Sequence, residues 1–137
     1  MGLYLCIFDD DGEVDGVEVG RYEDFGRFRD AIRTHLEAGI AGRRFPTLML
    51  HHDSDGEWSP TEAKALVDEL AMISDELSKL PPDPIDTGWK QSVAQRLGLK
   101  PATLRDCFFD VDGEPLVERL VSLCQRSIDQ NLAILFQ

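Results

Sequence analysis

Two apolar runs lie near opposite ends of this 137-residue chain: Leu3-Tyr4-Leu5-Cys6-Ile7-Phe8 at the start and Leu132 to Phe136 at the finish. Both are short, and both read as strands. An apolar strand has to be paired within a sheet, because its backbone polar groups cannot be buried unpaired. The two ends are therefore expected to share one sheet, with the rest of the chain folding back onto it. That points to one domain over residues 1–137, long enough to bury a core without staples.

The first run ends at the turn signal Asp9-Asp10-Asp11-Gly12. It suits a strand buried on both faces, or the first arm of a hairpin, with Val14 to Val19 as a short return strand. From Tyr22 the period changes. Tyr22, Phe25, Phe28, Ile32 and Leu36 recur at steps of three or four, which predicts one helix face, ended by Gly39 and Gly42. Phe45 to Leu50 predicts a further strand. Ser59-Pro60-Thr61-Glu62 is the clearest local signal: an N-cap serine, proline at the first helical position and a glutamate completing a capping box. Ala63, Leu66, Leu70, Ile73 and Leu77 give that helix its buried stripe. Leu80-Pro81-Pro82-Asp83-Pro84 breaks it.

Trp89, Val93 and Leu97 predict a short helix closed by Gly98. Thr103 to Val111 stays open between a strand and a buried turn. Pro115 opens another helix, with Leu116, Leu120, Leu123 and Ile128 facing inward. The fold class expected is α+β: a single two-layer domain, with a small mixed sheet of three to four strands and three main helices.

Charge narrows the function. The chain holds 26 Asp plus Glu against 14 Lys plus Arg, a formal charge of -12. That excess opposes binding to nucleic acid, whose phosphates call for Lys and Arg. No apolar run approaches the ~20 residues of a membrane helix, and the apolar start lacks the basic leader of a signal peptide. Cys6, Cys107 and Cys124 are odd in number, lie in apolar contexts and have no paired spacing. They imply free thiols in a reducing cytoplasm. The acids are clustered: residues 9–18 hold six and no base, and residues 53–86 hold ten with two lysines. Such surfaces keep a protein soluble, or steer it onto a cationic partner such as a basic nuclease.

One acidic pattern, Asp-x-Asp-Gly-Glu, occurs three times. The copies are Asp9-Asp10-Asp11-Gly12-Glu13, Asp53-Ser54-Asp55-Gly56-Glu57 and Asp110-Val111-Asp112-Gly113-Glu114. The plainest reading is turn chemistry, with Asp forming Asx-turns and Gly supplying positive φ. The alternative function is a small Ca²⁺- or Mg²⁺-binding protein, or a metal-dependent enzyme, using these loops. In residues 51–62, Asp53, Asp55 and Glu62 fit an EF-hand loop, but His51 takes the first position, where Ca²⁺ wants oxygen. A phosphatase of the haloacid dehalogenase type would want Thr or Val where Glu13 and Glu114 stand. His51, His52 and His35 make no evident tetrahedral site. No cofactor is expected, and no Gly-x-Ser-x-Gly elbow occurs. Trp58, just before a helix, is either packed under a loop or an interface anchor.

Met1-Gly2-Leu3-Tyr4-Leu5-Cys6-Ile7-Phe8-Asp9, Arg44-Phe45-Pro46-Thr47-Leu48-Met49-Leu50-His51, Asp55-Gly56-Glu57-Trp58-Ser59-Pro60, Asp110-Val111-Asp112-Gly113-Glu114-Pro115-Leu116 and Ile134-Leu135-Phe136-Gln137 follow one another in this order. Together they resemble the immunity protein 70 family of bacterial polymorphic toxin systems. The resemblance implies a cytoplasmic, non-enzymatic protein that binds and neutralises a toxin domain; it carries over no functional residue. Combined with the charge, it predicts stoichiometric occlusion through an acidic surface. The expected partner-binding residues are Asp9, Asp10, Asp11, Glu13, Asp53, Asp55, Glu57, Asp110, Asp112 and Glu114, with Trp58 as an anchor.

Overall fold

The computed structural model describes residues 2–52, 55–85 and 88–137. Strand β1 (Gly2–Asp9) turns at Asp9–Gly12 into β2 (Gly12–Arg21), and helix α1 (Tyr22–Leu36) follows directly. A one-turn helix α2 (Pro46–Met49) leads to the two-residue strand β3 (Glu57–Trp58) and the long helix α3 (Pro60–Leu77). Helix α4 (Gly88–Leu97), a 3-10 turn (Arg105–Cys107), helix α5 (Leu116–Gln130) and strand β4 (Ile134–Phe136) complete the order. The sheet runs β2-β1-β4-β3. The last strand thus lies between the first and the third, and both apolar termini share one sheet as expected.

The α+β class holds, with two refinements. Every strand pair among the described residues is antiparallel, so the expected mixed sheet is not seen. The predicted strand at 45–50 is instead α2. Pro46 has no N–H for a ladder and takes the first position of a helical turn. Arg29 of α1 donates to the Leu48 and His51 carbonyls at the other end of that turn, at 3.0 and 2.7 Å. Strand β3, which was not expected, lies just before the capping box and is only two residues long.

Alternation sorts the strands into two faces. Leu3, Leu5 and Ile7 of β1, Val17 and Val19 of β2, and Ile134 and Phe136 of β4 join the core. There they meet Phe25, Phe28 and Ile32 of α1, the predicted α3 stripe, and Leu116, Leu120 and Leu123 of α5. Burial of such side chains, each stabilising by about 1.5–3 kcal/mol, binds the layers. The capping box forms as predicted: the Ser59 hydroxyl accepts from Glu62 N at 3.1 Å, and the Glu62 carboxylate from Ser59 N at 3.0 Å.

Three connections place the site. Gly20 has φ 123, and a Cβ there would lie 2.6 Å from the Trp89 ring, so only glycine lets α4 lean on the end of β2. Trp89 Nε1 donates to Asp24 at 2.9 Å, and that carboxylate also accepts from Arg21 N at the start of α1. After α5, Asn131 takes a left-handed conformation (φ 55) that ends the helix and turns the chain into β4.

Candidate functional site

The first copy of the acidic pattern is the hairpin tip. Asp9 pairs with Gly12 across the ladder, and Asp9 Oδ1 accepts from Asp11 N at 2.8 Å, an Asx-turn. Asp9, Asp10, Asp11 and Glu13 are all exposed. In the second copy Asp55 and Glu57 are exposed, and Gly56 O accepts from Phe136 N at 3.0 Å. Asp53 lies outside the described residues.

The third copy is folded in. Asp110 is 2% exposed. Its Oδ1 accepts from Asp112 N at 2.9 Å and Glu114 N at 3.0 Å, and Arg119 Nε lies 3.6 Å from its Oδ2. Burial pushes the Asp110 carboxyl above its ordinary value, while the two N–H groups and Arg119 hold it back. Arg119 also reaches Asp15 at 3.5 Å and the Gly16 carbonyl at 2.7 Å, tying the turn to β2. In the free protein Asp110 therefore acts as a structural acceptor; Asp112 and Glu114 stay exposed.

The three turns do not converge. Val111 N donates to Glu18 O at 3.2 Å, which puts the third copy on the free edge of β2. The second copy adjoins β3, on the opposite edge. The intervening strands separate those edges by about 14 Å. The hairpin tip lies five residues along β1 from the Tyr4–Glu18 pair, roughly 17 Å away. The acids line the rim of the sheet instead of forming one patch.

Trp58 does not stand out from the surface. It is 1% exposed, its Nε1 donates to the Thr47 carbonyl at 3.1 Å, and its ring packs edge-on to Phe136. A buried indole satisfies its N–H in this way, so Trp58 is a core residue in the free protein.

For metal chemistry, Glu62 is held in its capping box. The His51 ring nitrogens lie 2.7 Å from His52 O and 3.0 Å from Glu57 O, and the ring stacks on Phe136. Among the described residues no three His, Cys, Asp or Glu side chains gather for a metal. Burial raises all three thiols, Cys124 to about 12, the opposite of what a thiolate nucleophile needs. A cleft of about 430 Å³ beside α1 is lined by Arg27, Asp30, His35, Asp83, Lys90 and Cys107 among others. There Cys107 Sγ donates to the Asp83 carbonyl at 3.3 Å, and Lys90 Nζ to the Cys107 carbonyl at 3.2 Å.

What the fold does gather is charge, by layer. All 14 bases lie within residues 21–126. The sheet segments 2–21, 55–58 and 134–137 hold Asp9, Asp10, Asp11, Glu13, Asp15, Glu18, Asp55 and Glu57, eight acids against one base, Arg21 at the end of β2. These 28 residues thus carry -7 of the -12, and the other 109 residues -5. Asp15 is paired with an arginine, Arg119 from α5.

The sheet face turned away from the helices carries Tyr4, Cys6 and Phe8 of β1. Opposite them across the ladder are Glu18, Gly16 and Glu13 of β2, and Leu135 and Glu57 lie farther across in the Cys6 row. Tyr4 lies across Gly16, where any side chain would collide with its ring, and hydrogen-bonds Glu13. Burial, and then Glu13, push its hydroxyl up to about 12. The continuous apolar run had suggested either a strand buried on both faces or the first arm of a hairpin, and it is the hairpin arm. Phe8, at 41% exposure, shows that one face stays open. The period-2 alternation that sorts these residues was present in the sequence but hidden, because both faces are apolar there. Arg119 had no sequence signal beyond being one arginine among several.

No helix among the described residues is long and apolar enough to cross a membrane. Searches among functionally curated proteins and among solved structures find no match. The family model for Immunity protein 70 matches residues 3–136, from the first residues of β1 to the end of β4. The chain therefore belongs to the immunity protein 70 family.

Proposed function

We propose that this immunity protein neutralises its cognate toxin domain by stoichiometric occlusion through the acidic sheet layer, in the cytoplasm and without catalysis of its own. The observation that supports this reading most is the segregation of charge: eight acids and one base, Arg21, in the segments that build the sheet. A layer so rich in acids attracts a cationic surface over a long range and raises the encounter rate. A nuclease domain of a polymorphic toxin, with a cleft made for phosphate, is the partner chemistry that fits best. The contact residues proposed are the exposed acids Asp9, Asp10, Asp11, Glu13, Asp55, Glu57, Asp112 and Glu114. Asp110 supports its turn from within.

The test is stopped-flow association between this chain and an inactive form of the toxin domain encoded beside it, from low to high salt. The rate should fall steeply as salt rises, because screening shortens the range of the attraction. A rate that is flat with salt would remove the electrostatic part of the proposal.

A further inference from the structure

We infer that the toxin seats on the open face of the sheet, with Phe8 as the apolar anchor and Glu13, Glu18 and Glu57 as the charged frame around it. This rests on the toxin-binding reading above and adds the surface used. Phe8 is the exposed aromatic among the five large apolar side chains that stand out on the described surface; the others are Ile40, Leu50, Met72 and Leu97. Those four lie on loops and helices, where every base but Arg21 also is. Phe8 alone of them projects from the acidic layer. Its neighbours on the face are half-buried Tyr4 and Leu135, around fully covered Cys6. An apolar centre with a polar rim is the usual anatomy of a binding surface, and aromatic side chains carry much of the binding free energy there.

Charge selects the occupant. A second copy of this chain on the same face would set Glu13, Glu18 and Glu57 against their own equivalents, three acids against the one base of these strands, Arg21 at the end of β2, and like charges across an interface are strongly unfavourable. An anionic membrane surface is disfavoured for the same reason. A cationic protein surface that presents an apolar group to Phe8 and Lys or Arg to the three glutamates satisfies both halves of the face.

The experiment measures Kd by calorimetry for the inactive toxin domain against wild type, Phe8→Ala, Glu18→Lys with Glu57→Lys, and Met72→Ala, at 0.1 and 0.5 M salt. Circular dichroism melts check each variant's folding. Phe8→Ala should weaken binding at least tenfold at both salts. The glutamate reversals should weaken it mainly at 0.1 M. Met72→Ala, on the helix layer, should bind as wild type. Radical footprinting should show Phe8 and Tyr4 protected in the complex. If wild type binds while folded Phe8→Ala and the reversals bind equally well, the face is wrong and the toxin-binding reading stands. If wild type does not bind the toxin domain, both fall. A wild-type dimer that Phe8→Ala abolishes would overturn the proposal in favour of a second copy.

Discussion

The hairpin tip at residues 9–13 and the turn at 110–114 share one pattern, Asp-x-Asp-Gly-Glu, and use it in opposite ways. At the tip, Asp9 accepts one N–H and stands in water. In the later turn, Asp110 accepts two N–H groups, lies beside Arg119 and is 2% exposed. The local chemistry is the same Asx-turn; what differs is whether a helix follows that can cover it. Helix α5 begins at Leu116 and brings Arg119 over the turn, while the tip is followed only by its return strand. Identical acids thus become a surface charge in one place and a structural strut in the other.

The largest test of that contrast is Asp110→Ala against Asp9→Ala. Losing the Asp110 carboxylate leaves two N–H groups without their acceptor and Arg119 without its buried partner. It should cost roughly 2–3 kcal/mol of folding stability. Asp9→Ala removes one exposed turn bond and should cost below about 0.5 kcal/mol. Urea melts of the two variants measure this directly. Equal losses would mean that the burial of the later turn contributes nothing.

The converse holds for association. Reversing the tip with Asp9→Lys, Asp10→Lys and Asp11→Lys should slow toxin binding about tenfold or more at low salt, with little change in stability. Asp112→Lys with Glu114→Lys, on the edge of β2, should slow it less. If the edge pair dominates, the partner approaches the β2 edge and not the open face.

Much of this fold was readable from the chain itself. Ser59, Pro60 and Glu62 marked the start of α3, and the 3.6-residue stripes marked α1, α3 and α5, because those signals are local. The pairing of the termini followed from two apolar runs that had to share a sheet. Segment 45–50 misled, because five apolar residues in six suit a strand or a buried helical turn equally, and Pro46 with Arg29 decided between them. The candidate site was half legible. Acid content was plain, but which acids face water depended on long-range partners such as Arg119 to Asp110, nine residues apart, and Arg119 to Asp15 across the chain. The exposure of Phe8 was hidden for a related reason: in a wholly apolar strand nothing marks the wet face until β2 and β4 set the register.

The smallest effect is the most discriminating. Burial raises the Asp110 carboxyl above its ordinary 3.8. A carboxyl with a raised folded value holds its proton more tightly in the folded state than in the unfolded one. Its titration therefore adds stability that is fully present below the ordinary value and is lost as pH rises through the raised one. Asp110→Asn removes that titration while keeping an oxygen to accept from Asp112 N and Glu114 N. The stability of wild type relative to Asp110→Asn should accordingly decline from about pH 3 through the weakly acidic range and then level off. Paired urea melts across that range give the slope. A slope of the opposite sign would mean that the two N–H groups and Arg119 outweigh desolvation. Asp110 would then be a stabilised anion, and its turn would differ from the hairpin tip by the strength of its partners and not by its burial.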